Sequence, residues 1–412
     1  MNVSYPPEAE SFRAEVRAFL RRTLPDDWRG VGALDGEQAH AFTETWRAML
    51  AAEGYLTPSW PPEYGGAGLS RLQQVILVEE LATAGVPFNG RNDNFSIKMI
   101  GNLVLRYGTD EQKSYFLPRI VSGEHRWCQG FSETEAGSDL AGLRTRARLE
   151  DDRWVIDGQK IWTSDALTAN WIFLLARTDP DAERHRGITM LLVPMDQPGI
   201  EVRPIRMMSG GGNFNQVTFD GARTARDNVM IGPGEGWKAA MALLGLERGD
   251  EAATNPIYFG AEVTRLMALA RERGVNTDPV VRDELARAYT RAEIMKYLGW
   301  RTLTGWLKGE VPGRDASVSK LYWSEHHRQV TDLAVTLLGA AAMTPTGRSP
   351  IRHYRTDDPD APNSPASWTG TWMTAISGTI YAGTSEIQRN ILAESVLGLP
   401  KEPRSHKPRS RQ

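Results

Sequence analysis

Cysteine is nearly missing. Cys128 is the single one in 412 residues, which excludes an internal disulfide and fits a reducing compartment. Its apolar and aromatic neighbours, Trp127 and Phe131, mark it as a buried structural thiol rather than a nucleophile. Charge of either sign is not in excess: 48 Lys and Arg against 51 Asp and Glu leave a net charge of −3, with no signal for nucleic acid or an anionic membrane. No apolar run approaches the roughly 18 residues of a membrane-spanning helix. The first 20 residues read as an amphipathic helix and not as an export signal, so the chain is expected in the cytoplasm. No GxGxxG follows a strand, which disfavours a doubly wound nucleotide fold. The glycine run from Ser209 to Asn213 lacks the Lys-Ser/Thr of a phosphate loop and reads as a flexible connection. His326 and His327 are adjacent on a predicted helix, about 100° apart, a poor arrangement for one metal.

What is present falls into three zones. Over 1–125, apolar residues recur at helical spacing: Phe12, Val16, Phe19 and Leu20, then Phe42, Trp46 and Leu50, then Val75, Ile76, Val78 and Leu81. Asp110 and Glu111 suit a helix start, where the dipole favours negative charge. Over 126–233 the pattern turns to short β-branched runs, predicting a β domain. Within it, 154–163 predicts a hairpin turning at Asp157-Gly158, and Asp220-Gly221 predicts another turn. Over 234–398 helical spacing returns at 237–249, 256–273, 279–308, 316–342 and 384–397, predicting a four-helix-type bundle. The stretch 352–367 predicts a surface loop, and 399–412 a disordered basic tail. The expected class is α+β and multidomain: a helical domain, a central β domain, then a bundle.

Two neighbouring pieces carry the most chemistry. GFSETEAGSDLAG, Gly130 to Gly142, and QKIWTS, Gln159 to Ser164, put Ser132, Ser138, Trp162 and Ser164 in one β region. Hydroxyl donors beside one large flat indole suit the holding of a planar polar ring system. The alternative for each serine is local turn capping, and for Trp162 a place in the core.

These pieces, with WPPEYGGAG (60–68), YGTDEQKSYFLPRI (107–120), RGITMLLVP (186–194), GEGWKAAMALLGLERG (234–249) and YAGTSEIQRNILAESVLGLP (381–400), resemble the acyl-CoA dehydrogenase family over nearly the whole chain. The resemblance implies an FAD enzyme that takes a proton from the α carbon and a hydride from the β carbon of an acyl-CoA or other acyl thioester. Electrons would pass to an electron-transfer flavoprotein or similar acceptor, in a homo-tetramer or dimer. It implies flavin contacts from Gln129, Phe131, Ser132, Gly137, Ser138, Trp162, Ser164, Gly339, Thr384 and Glu386. It further implies substrate contacts from Ser138, Arg248, Tyr381 and Gly383.

Many family members carry the base as the Glu of a YEGTS segment; here that place is Ala382, which takes no proton. A second family location, on the first helix after the β domain, holds Glu247. Glu247 ends the run Ala239 to Leu246, apolar on nearly every face, so its helix is expected to be buried and its carboxylate pKa raised. The rival reading is an ion pair with Arg248. The Ala382 N–H remains available to polarise the thioester carbonyl. Gly245, Gly249, Gly90 and Asn92 are expected near the substrate pocket.

Two segments depart from the family pattern. RERGVNTDPVVRDEL (271–285) lacks the phenylalanine of Arg-x-x-Phe-Gly, and VTLLGAAAM (335–343) has Thr336 where glutamine is usual. Both bear on how a neighbouring subunit's flavin adenine is held, so a hetero-tetramer is an alternative to a homo-oligomer. Two rival activities stay open on the same fold: a flavin oxidase or monooxygenase, and a non-catalytic partner subunit.

Overall fold

The computed structural model describes residues 6–210, 213–308, 315–346 and 367–401, with their side chains except at 36, 246–253, 306–307 and 315–316. Most of the predicted loop at 352–367, most of the tail at 399–412, and Gly211 and Gly212 lie outside the described residues.

The first layer is helical: α1 (Pro7–Thr23), α2 (Gly36–Ala52), α3 (Arg71–Ala84), a π-helix (Asn94–Gly101), α4 (Asn102–Tyr107) and α5 (Asp110–Ser122). Three of these open on capping boxes, Asp35 with Gln38, Ser70 with Gln73 and Thr109 with Gln112, each satisfying two otherwise orphaned backbone donors. Phe12, Val16, Phe19 and Leu20 are buried as their spacing predicts, each fully buried side chain contributing about 1.5–3 kcal/mol. The π-helix ends on a glycine required by closeness: a Cβ on Gly101 would stand 2.6 Å from both the Trp60 ring and the Ser96 carbonyl oxygen. Its start is clamped by Arg47, which donates to both Asp93 carboxylate oxygens at 2.8 and 2.9 Å and to the carbonyls of Ile120 and Val121.

The second layer is a seven-stranded half-barrel: β1 (Trp127–Gly130), β2 (Arg146–Glu150), β3 (Arg153–Ser164), β4 (Trp171–Arg177), β5 (Ile188–Pro194), β6 (Ile200–Pro204) and β7 (Phe214–Ala225). The path runs β1-β4-β2-β3-β7-β6, with β5 paired to β4. Neither Asp-Gly pair makes a hairpin turn. β3 and β7 each run straight through, and the register slips between Ile156, opposite Ala222, and Asp157, opposite Asp220. Gly221 is therefore a bulge residue, at φ 67°, and its N–H is received by Asp157 Oδ1 at 3.0 Å. Gly158 is required by closeness: at φ 143°, a Cβ there would meet Thr145 Cα at 2.7 Å.

The third layer holds α6 (Gly236–Glu272), α7 (Pro279–Leu307), α8 (Asp315–Leu338), α9 (Trp368–Gly378) and α10 (Ser385–Ile391). Its core includes Val263, Leu266, Ala288, Ala292, Val330 and Ala334. The predicted break between 249 and 256 does not occur; α6 continues through Pro256. Interior proline costs ~3 kcal/mol, outweighed by burial of Ala239, Ala240 and Leu243 before it and Phe259, Val263 and Leu266 after it. α9 was not predicted at all. Among the described residues no helix is long and apolar enough to cross a membrane.

Candidate active site

β3 inverts the usual polarity of a strand. Lys160 is fully buried, whereas Trp162, two residues on, is 56% exposed. The cause is a second register slip: Lys160 faces Val217 and Thr163 faces Asn215, so residues 161 and 162 together oppose one residue. Trp162 adopts φ 61°, a left-handed backbone that a bulky side chain enters only at a cost. Its indole makes a T-shaped contact with Phe214, ring centroids 5.9 Å apart, and more than half of the residue stays exposed.

The two sequence pieces do converge. Ile161 N–H donates to the Ser132 carbonyl at 3.0 Å, and Lys160 Nζ donates to the Phe131 carbonyl at 3.1 Å and to Glu133 Oε1 at 2.8 Å. The Glu133 carboxylate also receives the N–H groups of Arg144 and Thr145, at 2.7 and 2.9 Å. Burial pulls the Lys160 ammonium down to about 8, with Glu133 acting in the opposite direction. Burial alone would raise the Glu133 pKa, but Lys160, Thr145 and the Arg144 N–H together hold it below the usual value. Phe131 is anchored edge-on to Phe173, centroids 5.9 Å apart. Gln129 sits on β1 opposite Phe173. Ser132 is half-buried, Ser164 is buried, and Gly137 and Ser138 are exposed. None of the three serine hydroxyls has a hydrogen-bond partner among the described residues, and neither does the buried Thr163 Oγ1. Among the described residues these serines therefore cap no turn. Cys128 is buried and desolvation pushes its thiol well up, as its neighbours led us to expect.

A second group of predicted residues stands on the bundle. Ala382 is at φ 51° and Gly383 at φ 89°. Gln388 Nε2 donates to the Ala382 carbonyl at 2.8 Å, and Lys320 Nζ to the carbonyls of Gly383 and Gly378 at 2.6 and 3.0 Å. With the carbonyls tied back, the Ala382 N–H has no acceptor among the described residues. Tyr381 lies 6.3 Å from the Trp323 ring. Thr384 caps α10 by accepting from the Ile387 N–H at 3.1 Å, and Glu386 is exposed in its first turn. Gly339 follows the end of α8 at φ 57°, exposed; 19 residues past Lys320, it is roughly 28 Å along the helix from this turn.

α6 joins the two groups. Its start presses on β5, where a Cβ on Gly236 would meet the Thr189 carbonyl carbon at 2.5 Å, and it then runs beside α3, the π-helix and α4. Glu247, Arg248 and Gly249 are on this helix, but their side chains lie outside the described residues. The run before them is not buried all round: Met241 is 42% exposed and Gly245 is exposed. Gly90 and Asn92 are not among the residues lining the cavity between the first layer and α6. Gly90 is wedged beside Arg47 and Asp93, and Asn92 bridges to the half-barrel through Trp127, Asp165 and Thr168; their neighbour Asn89 reaches the cavity instead. Lys160, Glu133 and Lys320 were missed by sequence reasoning. Only Lys160 left a trace, a lysine at an inward strand position.

A half-barrel that exposes an indole beside unpartnered hydroxyls, set between helical layers, suits the binding of a planar polar ring system. Family models describe the acyl-CoA dehydrogenase N-terminal domain over residues 6–124, its middle domain over 128–222 and its C-terminal domain over 234–397. The acyl-CoA dehydrogenase IpdE1 of Mycobacterium tuberculosis is 41% identical over 400 residues, covering 96% of this chain and 99% of that protein. A solved structure titled Tcur3481-Tcur3483 steroid ACAD superposes with a TM-score of 0.78 at 33% identity, over 98% of this chain and all of that one (100%). The ChsE4-ChsE5 complex from Mycobacterium tuberculosis gives 0.75 at 30% identity, over 98% and 100%. The chain belongs to the acyl-CoA dehydrogenase family, whose members are FAD-dependent enzymes of lipid metabolism. The residues present fit that cofactor: a planar ring has the Trp162 indole to lie against and the hydroxyls of Ser132, Ser138 and Ser164 to bond.

Proposed function

We propose that this chain dehydrogenates an acyl-CoA between its α and β carbons, with Glu247 as the base that removes the α proton. The turn at 381–384 carries the proposal. Its backbone is braced by Gln388 and Lys320 so that an N–H can meet a thioester oxygen, yet alanine stands where many relatives hold a carboxylate. The base must then come from elsewhere. At 100° per residue, position 247 shares a stripe of α6 with Ala240 and Leu243, which are buried, and with Thr254 and Tyr258, which line a cavity.

FAD, when bound, supplies the hydride acceptor. Trp162 covers the ring, Ser164 and Ser132 donate to its polar edge, and Gln129 and Phe131 flank it. Gly137 and Ser138 border the pyrophosphate or the pantetheine arm, and Gly339, Thr384 and Glu386 serve the remainder of the cofactor. Tyr381, Gly383 and Arg248 contact the substrate, while Ala382 N–H holds the developing enolate oxygen. The electron acceptor is an electron-transfer flavoprotein or similar carrier, and the site of action is the cytoplasm. The steroid ACAD at 33% identity supports a bulky, polycyclic acyl group.

Anaerobic mixing of flavin-loaded protein with acyl-CoA thioesters tests the proposal. Flavin bleaching is expected, and Glu247→Gln should retain FAD while slowing reduction by ~10²–10⁴-fold. Near-normal reduction by that variant places the base elsewhere. Hydrogen peroxide formation in place of dye-linked turnover would instead indicate an oxidase.

A two-chain assembly is the second reading. Gly339 stands exposed with nothing among the described residues within 4 Å of where its Cβ would be, and residues 271–285, which span the end of α6, the turn and the start of α7, lack the usual phenylalanine. Two neighbours at 30% identity or more are titled as paired proteins. Light scattering on the chain purified alone would show whether it forms a flavin-loaded homo-tetramer or dimer, or needs a second gene product.

A further inference from the structure

Ser164 ends β3 with the peptide groups on both of its sides pinned by one residue of the neighbouring strand. The side-chain amide of Asn215, on β7, donates to the Thr163 carbonyl at 3.0 Å and to the Asn213 carbonyl at 3.1 Å. The Asn213 carbonyl also receives the Asp165 N–H, at 2.8 Å. Asn215 therefore bonds the peptide before Ser164 directly and reaches the peptide after it through a shared acceptor. Two carbonyl partners settle which end of the amide is the NH2. Because each peptide is planar, holding both planes fixes the backbone of Ser164 and the direction of its Cβ.

That direction matters. Side chains alternate between the two faces of a strand. Asn215 shares its face of β7 with Val217 and Phe219, which are in the core of the half-barrel, and Thr163 stands opposite Asn215. Ser164 is turned to the other face, where its cross-strand neighbour is Phe214, the ring that meets Trp162. The clamp thus lies on the core side, and the hydroxyl it aims lies on the side of the indole.

The clamp has a cost in stability. Asn215 and Thr163 are each 1% exposed, yet Asn215 Oδ1 and Thr163 Oγ1 have no hydrogen-bond partner among the described residues. Leucine and valine in these places would fill similar space without stranding an oxygen. An amide kept there despite the stranded oxygen serves something other than packing.

We propose that Asn215 is a positioning residue for the flavin, acting through Ser164 to hold its hydroxyl toward the polar edge of the ring. This role rests on the flavin contact proposed for Ser164. A hydrogen bond to that edge strengthens as the ring gains negative charge on reduction, so a well-aimed hydroxyl favours the reduced form.

A double-mutant cycle tests this. Ser164→Ala, Asn215→Leu and the double variant are compared with wild type for the Kd of FAD, by fluorescence titration of apo-protein, and for the midpoint potential of the bound flavin. Each single variant should weaken FAD by about 10-fold and lower the potential by about 30 mV, the equivalent of tenfold for a two-electron couple. The double variant should be no worse than either single one, since both remove the same bond. Asn215→Ser, too short to reach both carbonyls, should repeat the effect of Asn215→Leu, whereas Thr163→Val should match wild type in both quantities. Additive effects in the double variant overturn the inference and leave the Ser164 contact standing, as does an unchanged potential in Asn215→Leu beside a shifted one in Ser164→Ala. Failure of both Asn215→Leu and Asn215→Ser to fold makes Asn215 a residue of the fold and also overturns it. No change in either quantity in Ser164→Ala removes the Ser164 contact, and the role of Asn215 with it.

Discussion

Lys160 Nζ lies 2.8 Å from Glu133 Oε1, and the lysine side chain is fully buried beneath the two segments that form the exposed face around Trp162. The pair ties residues 131–133 to β3 through one cation, and it also carries the Arg144 and Thr145 N–H groups. Lys160→Met leaves a buried carboxylate without its counter-charge, which typically costs about 3–5 kcal/mol. The expected result is a large drop in the denaturant midpoint together with weaker FAD retention on gel filtration. A variant as stable as wild type with full flavin would show the pair to be dispensable.

The same pair sets an acid dependence. The folded Glu133 pKa is depressed, so its contribution is complete above the unfolded value of 4.5 and is lost as pH falls toward the folded value. Below 4.5 the unfolded chain binds the proton first, and stability declines. Glu133→Gln cannot titrate, so the stability gap between it and wild type should be constant from pH 7 to pH 5 and shrink below. Denaturant melts across that range measure the gap; one that widens on acidification contradicts the assignment.

Much of the layer order was legible because each layer has its own hydrophobic period, as α1 shows with Phe12, Val16 and Phe19. That the segments holding Ser132 and Trp162 meet was legible because they are close in sequence. The errors have a common origin in long-range contact. Asp157-Gly158 and Asp220-Gly221 are local turn signals, yet they meet across the β3–β7 ladder, where Gly221 becomes a bulge and Gly158 stays in register. Pro256 signals a break that packing on both sides overrides. Lys320 acts on carbonyls 58 and 63 residues away, a relationship no local pattern encodes.

The left-handed backbone at Trp162 implies stored strain, on the order of 1–3 kcal/mol. Exposure of the indole means little core packing is forfeited by its removal. Trp162→Gly should therefore leave the apo-protein as stable as wild type or more so, while weakening FAD binding. Thermal melts of apo-protein and fluorescence titration with FAD separate the two effects. A loss exceeding about 1 kcal/mol in the apo-protein would make Trp162 a structural residue after all.

Lys320 acts on the other half of the site. Its buried ammonium joins the carbonyls of Gly378, at the end of α9, and Gly383, beside Ala382. Lys320→Met removes both bonds at once and frees the 382–383 turn to rotate its amide away from a thioester oxygen. Loss of one such donor typically costs about 10²–10³ in kcat. The expected outcome is a kcat lower by that order with FAD content unchanged, since in the proposed function the cofactor's ring would rest on the half-barrel. Replacement by arginine, which can still reach both carbonyls, should recover part of the rate. Equal losses in flavin content and kcat would mean that Lys320 holds the bundle together and does not position the turn.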